Sequence, residues 1–226
     1  MNIRFNGAGA RFAGRQVLEP LSLALGERRI GIIGLNGSGK TTFARMINGQ
    51  VPPTPGSVSV GGLDTVKDGR QVLGRVGFIF QNPQNQIILP IVKDDIAFGL
   101  KHRGLSKAET AAATEAVLAR LGIAHLAERR AHELSGGELQ LAALAAVLVT
   151  GPDWLILDEP TNQLDLKNRK RVAETIAALD QRLIVISHDL ALVEDFERVL
   201  LFHEGRLAAD DTPGKAIAHY REIAGA

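Results

Sequence analysis

Gly34-Leu35-Asn36-Gly37-Ser38-Gly39-Lys40-Thr41 follows the apolar run Ile30 to Ile33 and leads into a helical pattern over Lys40 to Asn48. Glycines at this spacing let backbone N–H groups turn inward on an anion, and a helix that starts directly after them adds its dipole. This is the phosphate-binding P-loop pattern in its proper strand–loop–helix context. Lys40 supplies an ammonium for the terminal phosphates. Thr41 offers a hydroxyl to Mg²⁺, and Thr42 one toward the α-phosphate side. Asn36, Gly37, Ser38 and Gly39 form the cradle, so ATP and Mg²⁺ are the expected ligands.

Further β-branched or apolar runs stand at Val76 to Phe80, Trp154 to Leu157, Leu183 to Ile186 and Val199 to Phe202. Helical patterns separate several of them, at Lys107 to Leu121, Gly137 to Val149, Leu166 to Leu179 and Leu190 to Phe196. Short apolar strands joined by helices predict an α/β chain with a mainly parallel sheet. Ile3 to Phe5, Leu21 to Leu25 and Ser57 to Val60 read as antiparallel strands flanking the loop. Between Phe80 and Trp154 there is almost no strand character, which predicts an inserted helical subdomain. We place it at residues 82–150, with a nucleotide-binding core formed by 1–81 and 151–226.

The bulk numbers narrow the partners. The chain has 226 residues, enough for one core with a smaller inserted lobe. Its 26 Lys and Arg nearly cancel 25 Asp and Glu, leaving +1. No global field holds such a chain on nucleic acid or an anionic membrane, and no nucleic-acid partner is expected. It contains no cysteine, which excludes disulfides and thiolate metal sites. The longest apolar stretch, Leu139 to Val149, falls short of the ~20 residues that span a bilayer. Met1 to Leu25 lacks a secretory pattern. The expectation is a soluble, cytoplasmic chain that sits peripherally on the membrane through another protein.

Trp154-Leu155-Ile156-Leu157-Asp158-Glu159 is an apolar strand ending in two adjacent carboxylates. Neighbours on a strand face opposite sides, so the two acids can do different work. Asp158 suits Mg²⁺ and Glu159 suits a base for the attacking water. Taken alone, such a pair also serves as a helix cap or a solvated turn. Leu134-Ser135-Gly136-Gly137-Glu138 opens another helical run and offers a second set of free N–H groups for an anion.

A P-loop, a Leu-Ser-Gly-Gly signature and an Asp-Glu-Pro-Thr segment in this order resemble the ABC ATPase family, over essentially the whole chain. The resemblance implies the ABC ATPase fold and a head-to-tail dimer with a second ATPase subunit, either an identical chain or a homologue. In that dimer Ser135, Gly136, Gly137 and Glu138 of one monomer close over ATP on the P-loop of the other. By the same resemblance Phe12 stacks on adenine beside Val17, and Gln81 reaches Mg²⁺ and the attacking water. Asp165, ending Pro160-Thr161-Asn162-Gln163-Leu164-Asp165, belongs to the loop that crosses the dimer interface, and His188 contacts the γ-phosphate. Glu138 stands where Gln is commonest, Leu139-Gln140-Leu141 lacks a basic residue, and Asn162-Gln163 is an unusual pair.

Gln81-Asn82-Pro83-Gln84-Asn85-Gln86 followed by Val92 to Leu100 resembles the ATPases of energy-coupling factor importers, with the biotin transporters most similar. That implies a transmembrane coupling protein and a small substrate-binding membrane protein as partners. Biotin is the first substrate expected, and cobalt or nickel ions come next.

Overall fold

The computed structural model describes residues 2–225 and divides into two compact units. One comprises the chain up to Gly77, Asp153–Glu159 and the chain from Gln181; the other comprises Phe78–Pro152 and Pro160–Asp180. The first unit contains β1 (Ile3–Phe12), β2 (Arg15–Leu25), β3 (Arg29–Gly34), α1 (Lys40–Ile47), β4 (Ser57–Val60), β5 (Leu63–Asp64), α2 (Gly69–Leu73) and the opening of β6 (Val76–Ile79). The second follows with α3 (Val92–Phe98), α4 (Lys107–Arg120) and α5 (Gly136–Leu148). After β7 (Trp154–Asp158) comes α6 (Leu166–Ala177), and the chain ends with β8 (Arg182–Ile186), β9 (Arg198–His203), β10 (Arg206–Asp211) and α7 (Pro213–Ala224). The expected 82–150 division thus differs from the observed units, which group α6 with the inserted helices. No described helix is long and apolar enough to cross a membrane.

The strands form an antiparallel sheet, β2-β1-β4-β5, and a mainly parallel one, β10-β9-β3-β8-β7-β6. β3 runs parallel to β8 and β9, and β7 parallel to β8. Their near-continuous burial is the pattern of strands covered on both faces. Register decides what meets what: Ile186 lies opposite Ile32 on one side and Asp158 on the other. The ends of β3, β8 and β7 therefore come level, at the carboxyl edge where open α/β sheets hold their ligands. Helix α1 connects the two sheets through aromatic packing. Phe43 stacks on Phe5 of β1 at 4.4 Å between ring centroids and meets Phe202 of β9 at 4.9 Å.

In the second unit α5 packs against α3, α4 and α6. Its sequence is apolar on every side except near its N-terminus, as a helix surrounded by others requires. Helix α4 starts on a reciprocal cap: Ser106 Oγ accepts from the Glu109 N–H, and the Glu109 carboxylate accepts from the Ser106 N–H.

One expected helix is absent. Leu190 to Phe196 forms only a 3₁₀ turn at Leu190–Leu192, with the tight bonds Leu192 N–H to Asp189 O and Phe196 N–H to Val193 O around it. Val193 is fully buried against Gly31, where a side chain on that glycine would collide with it. Glu197 N–H is already bonded to Arg29 O, drawing the chain into β9 before a regular helix can develop. Phe43→Ala should cost about 3–5 kcal/mol, the usual range for emptying a core aromatic. A urea titration read by far-UV circular dichroism should show a lower midpoint with an unchanged slope.

Candidate functional site

The loop after β3 takes its shape from Gly34. Its φ of 144° lies in the region that favours glycine, and a Cβ there would run into the carbonyl oxygen of Phe202. The chain thus passes flush over β9 before turning. Gly37 and Gly39, at φ 76° and 99°, complete the turn. Gly39 has Val17 O and Leu18 Cδ1 each 3.2 Å from where a Cβ would sit. The Gly205 N–H donates to Ser38 O at 3.1 Å, and the Glu19 N–H donates to Gly205 O at 2.7 Å. The loop is therefore braced by β2 and by the β9–β10 turn. Helix α1 then begins without a side-chain cap, leaving its first N–H groups for an anion.

Within this cradle Lys40 is almost fully buried, and its Nζ donates to Gly34 O at 2.8 Å and Leu35 O at 2.9 Å. Burial pushes its pKa down, while the carboxylates of Glu159 and Asp158 pull it back up. Ser38 Oγ is buried with no partner, an unspent hydroxyl in the loop wall. Asn36 is exposed, and Thr41 and Thr42 are half-buried.

Asp158 closes β7, and its Oδ1 accepts from Thr41 Oγ1 at 3.2 Å. Burial raises its carboxyl above the ordinary carboxylate range, opposed by the Thr41 bond and the nearby Arg45 cation. These two hard oxygens fit Mg²⁺, which takes few protein donors and completes its octahedron with water and phosphate.

Glu159 has φ 51°, a conformation that costs a non-glycine residue on the order of 1–3 kcal/mol. Its N–H donates to Ile186 O at 2.9 Å, so the sheet ladder continues through the kink. Its Oε2 accepts from the His188 N–H at 3.2 Å and lies 2.7 Å from His188 Nδ1. In this contact the carboxylate oxygen is the acceptor for an N–H at Nδ1. Phe12, at the tip of the β1–β2 hairpin, is 46% exposed and so is no core aromatic; Val17 in β2 is half-buried. Phe12, Val17, residues 36–42, Asp158, Glu159 and His188 thus all belong to the first unit.

Gln81, Ser135 to Glu138 and Asp165 belong to the second. Gln81 is exposed in the bend after β6. Ser135 caps α5: Glu138 Oε2 accepts from the Ser135 N–H at 2.9 Å and from its Oγ at 2.7 Å. Those bonds hold the Glu138 carboxyl below its ordinary range. Asp165 caps α6, accepting from the Asn168 N–H at 2.8 Å and from Asn168 Nδ2 at 2.8 Å, which lowers its pKa as well. Sequence reasoning missed Gly205 and Asn168. The spacing of Asp165 and Asn168, as Ncap and third helical residue, is the signal that could have found the second.

Residues 18–162 match the ABC transporter family. The chain is 68% identical to the biotin transport ATP-binding protein BioM of Rhizobium etli, over 99% of this chain and all of that protein. It is 44% identical to the BioM of Rhodobacter capsulatus, over 92% of this chain and 88% of the relative. The solved structure of cbiO1 from Clostridium perfringens, described as part of the ABC transporter complex cbiONQ, superposes with a TM-score of 0.86 at 27% identity, covering 99% of this chain and 93% of that one.

The buried carboxylate has a measurable consequence. A folded pKa above the unfolded value means that ionised Asp158 opposes folding at any pH above both, and the opposition fades as pH falls toward 3.8. Asp158→Asn should therefore raise the thermal midpoint of the nucleotide-free chain at neutral pH. Differential scanning fluorimetry across a pH series should show that gain shrinking on acidification.

Proposed function

The chain belongs to the ABC transporter family, and on that premise we propose that it is the ATP-hydrolysing subunit of an energy-coupling factor importer that takes up biotin. The observation that carries the substrate is the 68% identity to the R. etli biotin transport protein along the whole chain. No residue of an ATPase subunit needs to touch the cargo, so its identity rests on that relationship and not on the site.

The phosphate chemistry is carried by the chain's own groups. Lys40 Nζ donates to two backbone carbonyls of the loop. On binding ATP it exchanges them for phosphate oxygens, where a desolvated ammonium is worth more than in water. Phe12 offers an exposed ring to adenine, next to Val17. Asn36 to Thr42 wrap the phosphates, and Ser38 Oγ finds a partner there. Thr41 and Asp158 would hold Mg²⁺, with Gln81 as a further ligand, and the ion would neutralise charge between the β- and γ-phosphates. Glu159 accepts a proton from the attacking water. His188, in contact with Glu159, fixes that carboxylate and presents its ring to the γ-phosphate.

Ser135, Gly136, Gly137 and Glu138 receive the γ-phosphate of ATP bound to the second subunit, with Asp165 at the interface, so two ATPs close a head-to-tail dimer. The geometry that supports this is an uncapped α1 in one unit and the glycine-lined start of α5 in the other. Gln81 and the segment to Leu100 are assigned to docking of the transmembrane coupling protein, which works with a small biotin-binding membrane protein. On this reading the chain is a peripheral subunit at the cytoplasmic face of the membrane.

Glu159→Gln should bind ATP normally, hydrolyse it about 10²–10⁴-fold more slowly and accumulate as an ATP-dependent dimer on size-exclusion chromatography. A variant that stays monomeric with saturating ATP and Mg²⁺ would remove the sandwich for the isolated subunit. In cells dependent on the native transporter, Lys40→Ala should abolish biotin uptake. Uptake of cobalt or nickel lost in place of biotin would keep the ATPase and replace the cargo.

A further inference from the structure

Of the two glycines that open α5, Gly136 lies close to Leu164 and Gly137 is closed off by Asn168, residues on either side of Asp165. A Cβ on Gly136 would lie 3.3 Å from Leu164 Cδ2. One on Gly137 would lie 2.5 Å from Asn168 Cγ, 2.5 Å from its Oδ1 and 2.7 Å from its Cβ, distances that real Cβ atoms do not tolerate. The opposite end of the same amide is fixed: Asn168 Nδ2 donates to Asp165 Oδ2 at 2.8 Å. One planar group thus abuts the signature glycine on one side and grips the interface carboxylate on the other. All of these residues lie in the second unit.

We infer that Asn168 is a positioning residue that ties the signature turn to the Asp165 loop, so that both elements reach the second subunit's ATP as one rigid piece. The inference rests on the ATP-sandwich reading given above. The physical need is orientational. The Ser135 turn must meet a γ-phosphate while Asp165 crosses the interface, and two independently mobile loops would each have to be ordered on closure. The bridge orders them beforehand within one monomer.

The bridge can be separated from the helix cap, because Asp165 Oδ1 bonds the backbone N–H of residue 168, which any residue but proline retains. Asn168→Ala should leave the affinity of the isolated chain for a fluorescent ATP analogue unchanged and its thermal midpoint nearly so. Its kcat should fall roughly 10-fold with little change in KM, and Asn168→Ala in a Glu159→Gln background should give less ATP-dependent dimer. Asn168→Asp has the same size but sets a second carboxylate against Asp165 instead of a donor, and should be worse than Ala on both readouts. Wild-type kcat and dimer yield in both substitutions would overturn the inference. A Glu159→Gln chain that dimerises whatever stands at 168 defeats the coupling alone, whereas one that never dimerises defeats the sandwich and the coupling with it.

Discussion

A buried ammonium is the constraint around which the first unit is organised. Lys40 sits inside its own loop, bonded to the carbonyls of Gly34 and Leu35, with Asp158 and Glu159 as the nearby opposing charges. Desolvating a cation is costly, and here the cost is met by backbone dipoles and by carboxylates themselves held in the interior. Moving Lys40 removes one neighbouring positive charge from those carboxylates, leaving Asp158 with Thr41 and Arg45 and Glu159 with His188. The two carbonyl bonds tie the lysine to the loop that precedes its own helix.

The same arrangement explains why activity and stability pull apart at β7. Asp158 is held in a state that burial disfavours and that an apolar or amide replacement would relieve. Glu159 is held at a positive φ by the bond from its N–H to Ile186 and by the contact of its carboxylate with His188. Neither feature serves the folded state alone. Both place carboxylate oxygens at the carboxyl edge of the sheet, and the closely packed parallel strands β3, β8 and β7 bear the strain.

The second unit solves a different problem, which is to present helix N-termini without collapsing them. Ser135 and Asp165 each satisfy one end, and Gly137 admits Asn168 at a distance no larger residue allows. The chain spends conformational freedom at Gly136 and Gly137 to bring one loop against the next.

Much of this was legible in the sequence. Gly34 to Thr41, Trp154 to Glu159 and Leu134 to Glu138 declare phosphate loop, acid pair and signature because each needs particular residue types at fixed spacing, and short apolar runs mark buried strands wherever they fall. Local pattern failed where tertiary contact decides. Leu190 to Phe196 has helical periodicity but is pinned by Val193 on Gly31 and by Glu197 on β3. Arg206 to Asp211 carries too little apolar character to announce a strand, yet it pairs with β9 as its antiparallel edge. The sequence by itself determined which groups are available for chemistry. Which of them meet was decided by strand register, since only pairing sets Ile186 between Ile32 and Asp158 and so brings Lys40, Glu159 and His188 to one edge of the sheet.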